Sequence, residues 1–266
     1  MTDPVVVVDQ VHKSFGGHRV LTGVTLSVTA GETVAILGRS GTGKSVLLKT
    51  IIALLDPDRG SVQVFGKNLH ALDEDGRRKA RAGIGYVFQG AALFDSLTVL
   101  ENVGFAMYQQ RRPEAEIRTE VMKRLEMVGL ADAIDKVPSE LSGGMQKRVG
   151  LARAIIGEPK LILYDEPTTG LDPLTTDVIN RIILRLRRKL GVTSIVVTHD
   201  IKSAFTIADR IIMLEQGLIV AEGTPDDIQA SGNLWVRNFI TGHSPEIDTN
   251  GSRARIPAIL VDPPVE

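Results

Sequence analysis

The sequence predicts an α/β fold: a mainly parallel sheet with helices packed on it, preceded by a small antiparallel β-unit and interrupted by an all-helical insertion. Three observations carry this expectation. An apolar run, Thr33 to Leu37, leads through the glycine-rich stretch GRSGTGKS (Gly38 to Ser45) into a helical pattern over Val46 to Leu55. From Leu161 onward strand and helix patterns alternate, as a parallel sheet with covering helices requires. Between these two regions, residues 91 to about 158 carry no strong strand signal.

In chain order, Val5 to Val11 and Val20 to Val28 read as strands around the polar turn GGHR, the N-terminal antiparallel β-subdomain. Ser61 to Phe65 and Ile84 to Phe88 are further strands. The charged segment DEDGRRKAR between them reads as a solvated helix, its basic run a surface face rather than a binding patch. The inserted helices break near Pro113 and Pro138, where proline cannot continue a helix. Then come a strand over Leu161 to Tyr164, a helix over Pro173 to Leu190, a strand over Thr193 to Val197 and a helix over Ile201 to Ala208. Arg210 to Leu214 and Leu218 to Ala221 flank Glu215-Gln216-Gly217 as a hairpin. Pro225 to Ala230 and Leu234 to Ile240 read as short closing helices. Residues 4–242 are thus expected to form one domain with a helical subdomain over about 91–158. Past Gly242 the composition shifts, and the tail 243–266 carries four prolines. It is either a disordered tail or an extended segment whose apolar cluster, Ile256 to Val261, docks on a partner.

Composition narrows the function classes. Of 266 residues 43% are apolar and 24% charged, ordinary for a globular protein, and the net charge of −1 gives no electrostatic footprint for nucleic acid. With no cysteine there is no disulfide framework and no thiolate metal site, which fits the cytoplasm. The N-terminus holds an acid and only four consecutive apolar residues, neither a signal peptide nor an anchor. No run approaches the ~18 apolar residues of a membrane span, so any pore would belong to other chains.

The chemistry lies in three stretches. GRSGTGKS fits the phosphate-loop pattern G-x-x-x-x-G-K-[ST], in the strand–loop–helix context the pattern needs. Backbone N–H groups over Gly38, Arg39, Ser40, Gly41, Thr42 and Gly43 can turn toward phosphate oxygens. The helix that Val46 enters adds partial positive charge. Lys44 would reach the β- and γ-phosphates of ATP, and Ser45 would ligate Mg²⁺. The second stretch, LILYDEP, is an apolar strand ending in two acids. Asp165 can hold the Mg²⁺ shell through water, and Glu166 can orient and polarise an attacking water. Such positioning is most of phosphoryl-transfer catalysis. In the third, LSGGMQKR, Ser142, Gly143 and Gly144 open a helix running to about Ile156, and its free N–H groups with the Ser142 hydroxyl make an anion site.

These stretches, in this order, resemble the ATP-binding-cassette (ABC) ATPases over about residues 4–242. The resemblance implies a P-loop NTPase (RecA-like) core of ABC ATPase type, with the antiparallel β-subdomain beside the adenine. LSGGMQKR resembles that family's signature motif, which clamps the γ-phosphate of ATP held by the opposite subunit, so two chains sandwich two ATP molecules. Phe15 resembles the aromatic that stacks on adenine, where most members carry Tyr; the competing reading is a core Phe. Gln89 in GYVFQ resembles the residue that ligates Mg²⁺ and senses the transport partner. Asp172 resembles the acid that communicates across the dimer, and His199 in IVVTHD the switch histidine on the γ-phosphate. Arg39 stands where many relatives carry a small residue; its side chain lies outside the N–H set, so nucleotide binding should survive. Catalysis is thereby expected of Glu166, His199 and Gln89, and Mg²⁺ binding of Ser45, Gln89 and Asp165.

Further stretches, FQGAALFDSLTVLENVGF, GLDPLTTDVI and VRNFITG, resemble the ATPases of Mla/Mce-type lipid transporters. That likeness implies ATP-driven phospholipid transport across a bacterial envelope and a peripheral place on the cytoplasmic face of the inner membrane. Its partners would be a second copy of the chain, integral membrane permease subunits, an Mce-domain lipid-binding protein and an auxiliary cytoplasmic subunit. Leu93, Phe94, Leu97 and Val99 after Gln89 either form a groove for a permease helix or pack the helical subdomain. The alternatives are the ATPase of an amino-acid or metal-ion importer, which shares many of these motifs, and a cassette that does not transport. Sugar importers with a long C-terminal regulatory domain are disfavoured by where the chain stops.

Overall fold

The computed structural model describes residues 3–243. The tail, His243 apart, and the expected docking of Ile256 to Val261 lie outside the described residues.

Two twelve-residue strands, β1 (Pro4–Phe15) and β2 (His18–Thr29), pair as an antiparallel hairpin. A short buried strand, β3 (Thr33–Leu37), leads through the glycine loop into α1 (Lys44–Ile51). β4 (Arg59–Val64) and β5 (Lys67–Asn68) follow, then α2 (Glu74–Arg81) and β6 (Ile84–Val87). The insertion comprises α3 (Val99–Gln109), α4 (Glu114–Val128) and α5 (Gly143–Ala154). The chain then returns as β7 (Leu161–Asp165), α6 (Pro173–Leu190), β8 (Thr193–Thr198) and α7 (Ile201–Ile207). The hairpin β9 (Arg210–Glu215) and β10 (Leu218–Gly223) closes the sheet, before α8 (Pro225–Gln229) and α9 (Leu234–Thr241).

The strands form two sheets. One is antiparallel, in the order β2-β1-β4-β5; the other has the order β10-β9-β3-β8-β7-β6, parallel except for β10. Every residue of β3, β7 and β8 is buried, which is why these strands read as unbroken apolar runs. Their C-terminal ends all point to one edge, where the glycine loop, Asp165 and Glu166 emerge.

The helical insertion begins at a capping box, with Thr98 accepting from the Glu101 N–H and Glu101 accepting from Thr98. Its apolar faces, including Val103, Ile117, Val121, Leu125 and Val149, share one core with Ile162, Tyr164 and Val196 beneath the parallel sheet. The insertion therefore cannot change its tilt without disturbing contacts under β7.

Several bounds differ from expectation: β1 runs on to Phe15, past Val11. α1 ends at Ile51, not Leu55, because Ala53 adopts a left-handed conformation (φ 52°) and the Leu54 and Leu55 N–H groups both turn back to Lys49 O. β5 was invisible in the sequence: it is two polar residues, placed only by backbone pairing with Gln63 and Val64. α2 has no buried residue, as a solvated helix should, yet its basic residues have structural roles. Arg81 donates to the carbonyls of Ile52 and Ala53, just beyond α1, and Arg77 to those of His70 and Leu72.

Candidate nucleotide-binding and hydrolysis site

Gly38 follows β3 directly and lies against β9: a Cβ here would be 2.4 Å from Leu214 O and 2.8 Å from Thr42 Oγ1. No side chain fits, so the loop's start is fixed by contact. Thr42 Oγ1 donates to Arg39 O (2.9 Å) and tightens the turn, while the Arg39 and Ser40 side chains point to solvent. Gly43 at φ 100° caps α1 with no side-chain bond, and the N–H groups of Lys44, Ser45 and Val46 in its first turn are left without an intrahelical acceptor.

Lys44 is 5% exposed and spans the site. Its Nζ donates to Gly38 O (2.8 Å) and Arg39 O (2.9 Å) and lies 3.4 Å from Glu166 Oε1. At the next residue, the Ser45 hydroxyl donates to Asp165 Oδ1 (2.6 Å). The other Asp165 oxygen accepts from the Tyr86 hydroxyl (3.0 Å). Burial, and then the facing Asp165 carboxylate, push the Tyr86 phenol up, so it stays a donor.

Glu166 is 7% exposed and takes φ 49°, a left-handed conformation that costs a non-glycine residue about 1–2 kcal/mol. Its backbone N–H is tied to Val197 O (3.0 Å), extending the β7–β8 pairing by one residue. Its Oε2 accepts from Thr169 Oγ1 (3.0 Å) and pairs with His199 Nδ1 (2.8 Å). One carboxylate thus bridges Lys44 and His199, and the histidine ring is half exposed on the solvent side.

Gln89 follows β6 and lines a cleft of about 540 Å³ with Gly143, Gln146, Lys147, Thr169 and Leu171. Ser142 caps α5 by accepting from the Met145 N–H (3.3 Å). Gly143 is open on the side a Cβ would occupy, whereas a Cβ at Gly144 would meet Thr175 Cγ2 at 2.5 Å. The second glycine thus has an intrachain reason, close approach to α6, that the motif alone did not reveal. Asp172 caps α6, accepting from the N–H groups of Leu174 (2.9 Å) and Thr175 (3.0 Å) and the Thr175 hydroxyl (2.5 Å). The Thr175 bonds hold its carboxyl below the usual carboxylate range.

The structure therefore brings Lys44, Ser45, Asp165, Glu166 and His199 together through the Ser45–Asp165 and His199–Glu166 hydrogen bonds and the Lys44–Glu166 ion pair. Among the described residues, no hydrogen bond joins that cluster to Ser142, Gly143, Gly144 or Asp172. Phe15 is no core residue: it is 45% exposed at the end of β1, with the Lys13 ammonium 5.5 Å from the ring centroid. Sequence reasoning missed Tyr86 and Thr169. Their only signals were a hydroxyl in an otherwise apolar strand and a threonine three residues past Glu166.

It also missed Asn102. This side chain, fully buried, accepts from Phe94 N and donates to the carbonyls of Phe94, Leu97 and Thr98. It folds the segment between Gln89 and α3 so that Val99 is buried, Leu93 is packed, and Phe94 is left 45% exposed beside Phe105. Asn102→Ala strips all four bonds, and we expect a loss of about 2–3 kcal/mol from the groups left unsatisfied. Thermal unfolding should show it as a drop of roughly 5–10 °C for a chain of this size.

The family profile described as ABC transporter matches residues 21–169. Among curated proteins the chain is 41% identical over 220 residues to the methionine import ATP-binding protein MetN of Brucella abortus, covering 83% of this chain and 60% of that protein. It is 40% identical over 231 residues to the probable ribonucleotide transport ATP-binding protein mkl of Mycobacterium leprae, covering 86% and 67%. Among solved structures, cbiO1 of Clostridium perfringens, part of the transporter complex cbiONQ, superposes with a TM-score of 0.80 at 31% identity, covering 89% of this chain and 94% of that one. The dimeric cassette MJ0796 bound to ADP and Pi gives 0.76 at 36%, covering 83% and 98%. The chain spans only 60% of the length of the MetN relatives, so the resemblance to them concerns that shared portion.

Proposed function

Because the chain belongs to the ABC transporter ATP-binding family, whose members bind ATP with Mg²⁺ and hydrolyse it in transport, we propose that Glu166 is the base of its ATPase site and that a second copy completes that site. The observation that carries this reading is the buried Glu166 carboxylate, held between Lys44 and His199 at the end of β7.

In this reading Lys44 exchanges its bonds to Gly38 O and Arg39 O for the β- and γ-phosphate oxygens, beside the N–H groups from Gly38 to Ser45. Ser45 and Asp165 are hard oxygen donors 2.6 Å apart, a set that fits Mg²⁺, with Gln89 as a further ligand. The ion supplies neutralisation of phosphate charge. Glu166 accepts a proton from the attacking water, Thr169 and His199 hold the carboxylate's second oxygen, and the exposed face of His199 meets the γ-phosphate. Phe15, exposed at the edge of the β-subdomain, stacks on adenine. Ser142 and Gly143 present the α5 N-terminus to the partner's nucleotide, and Asp172 lies at that same seam. Residues 4–242 act as one ATPase domain with a helical subdomain over about 91–158.

ABC ATPase domains dimerise and pair with membrane permease subunits, and the exposed Phe94 is the residue we assign to permease contact. Among the described residues no helix is long and apolar enough to cross a membrane. We therefore place the chain peripherally, on the cytoplasmic face, through its partners. For cargo, the relatives' names favour a small polar solute: one is named for methionine import, the other for ribonucleotide transport. They do not support the phospholipid expectation or an Mce-domain partner.

Purification of the chain from its native membranes in mild detergent, with partners and lipids identified by mass spectrometry, decides the cargo. A permease with a solute-binding protein is the expected result. A permease with a lipid-binding envelope protein and bound phospholipid would reinstate the lipid reading, and recovery with no membrane partner would remove the transport assignment.

A further inference from the structure

Asp165 is held by both of its carboxylate oxygens, and the two donors come from different elements. Ser45, in the first turn of α1, donates to Oδ1 at 2.6 Å, and Tyr86, on the edge strand β6, donates to Oδ2 at 3.0 Å. The direction of the second bond is fixed, because an ionised carboxylate only accepts. Asp165 is buried, so neither bond is exchanged freely with bulk water.

Strand register explains why the second donor is a tyrosine. Tyr86 pairs with Leu163, so Asp165 lies two residues further along β7, on the same face of the sheet and about 6–7 Å on. A serine or threonine at this position would stop short of the carboxylate, and a phenylalanine would arrive with no donor. The Tyr86 ring is steadied by Phe88, whose ring centroid is 4.5 Å away. It also packs against the core that holds Leu163 and, from α1, Leu47. Tyr86 thus approaches Asp165 from the β6 side and Ser45 from the α1 side. Rotation of the carboxylate would break one bond or the other.

The consequence for a bound cation follows from ligand chemistry. Mg²⁺ keeps several of its waters in a near-octahedral shell, which a carboxylate biting with both oxygens does not fit. Ca²⁺ gathers about six to eight oxygens at longer distances and accepts a carboxylate through both of its oxygens. An Asp165 whose Oδ2 is engaged by a phenol O–H, and whose rotation is blocked, suits the first ion and is less free to close on the second.

We propose that Tyr86 is a positioning residue of the cation site, which holds the second Asp165 oxygen away from the ion and so selects a small cation that keeps its waters over a larger one that would be chelated. This rests on the reading of Ser45 and Asp165 as the cation's donors given above.

Tyr86→Phe tests it, since this change keeps the ring and the Phe88 contact and removes only the hydroxyl. The readout is the affinity of the full chain for a slowly hydrolysed fluorescent ATP analogue, titrated with Mg²⁺ in one series and with Ca²⁺ in another. The ratio of half-saturating Ca²⁺ to half-saturating Mg²⁺ should fall about tenfold, as expected for the loss of one charge-assisted hydrogen bond. Analogue affinity with all divalent cations chelated should stay within about twofold. A tyrosine that only packs would move both titrations together and leave the ratio alone. In an Asp165→Asn background the same change should not move the ratio, because the amide has one oxygen and cannot chelate. An unchanged ratio in Tyr86→Phe overturns the proposal, and so does a shift that persists undiminished in the Asp165→Asn background. If Asp165→Asn leaves both cation titrations at wild-type values, the cation reading of Asp165 itself fails and the proposal falls with it. Should Tyr86→Phe not fold, Tyr86→Met is read in the same way.

Discussion

Glu166→Gln should lower kcat for ATP hydrolysis by about 10²–10³-fold or more while leaving ATP binding intact. The amide is nearly isosteric, so it can still accept from Thr169 or pair with His199, and the left-handed backbone tied to Val197 is unaffected. What disappears is the ability to accept a proton. The negative charge near the incoming γ-phosphate disappears too, so affinity should stay level or tighten. Steady-state turnover and equilibrium titration with a fluorescent ATP analogue separate the two quantities. Turnover within a few-fold of wild type would remove Glu166 from the reaction.

Lys44→Ala should act on the other quantity. It removes the ammonium that the phosphates would engage, and charge-assisted bonds of this kind are worth about 1.5–3 kcal/mol each, so ATP affinity should fall by about 10²-fold. The loss is not confined to binding. Lys44 satisfies two loop carbonyls and faces a nearly buried carboxylate. Its removal leaves Gly38 O and Arg39 O without that donor and the Glu166 Oε1 without its cation, at a cost of about 1–3 kcal/mol to the fold. The variant should therefore bind poorly and melt lower, whereas Glu166→Gln should bind well. Wild-type affinity in Lys44→Ala would mean that the loop binds something other than a triphosphate.

Much of this was legible in the chain. β3, β7 and β8 are buried on both faces, so their apolar runs announce a covered parallel sheet, and α6 spans the very residues its pattern marks because Asp172-Pro173 starts it and Gly191 stops it. Local signals sufficed for those elements. They did not suffice for β5, whose two polar residues are a strand only through pairing, nor for the end of α1, which a left-handed Ala53 fixes. In the site, Lys44, Ser45, Asp165 and Glu166 were readable because each sits in a short motif. Tyr86 was not: its partner is a carboxylate 79 residues away, and nothing in a local window records such a meeting.

In the reading proposed here one chain holds the triphosphate and the α5 N-terminus of another completes the site. Sedimentation of Glu166→Gln with ATP, with ADP, and again with Ser142→Arg added to the variant separates this from a self-sufficient monomer. A dimer with ATP, a monomer with ADP, and a monomer in the double variant that still binds ATP as the single variant does are the expected results. A monomer under all three conditions, or an ATP-dependent dimer indifferent to Ser142→Arg, would contradict it.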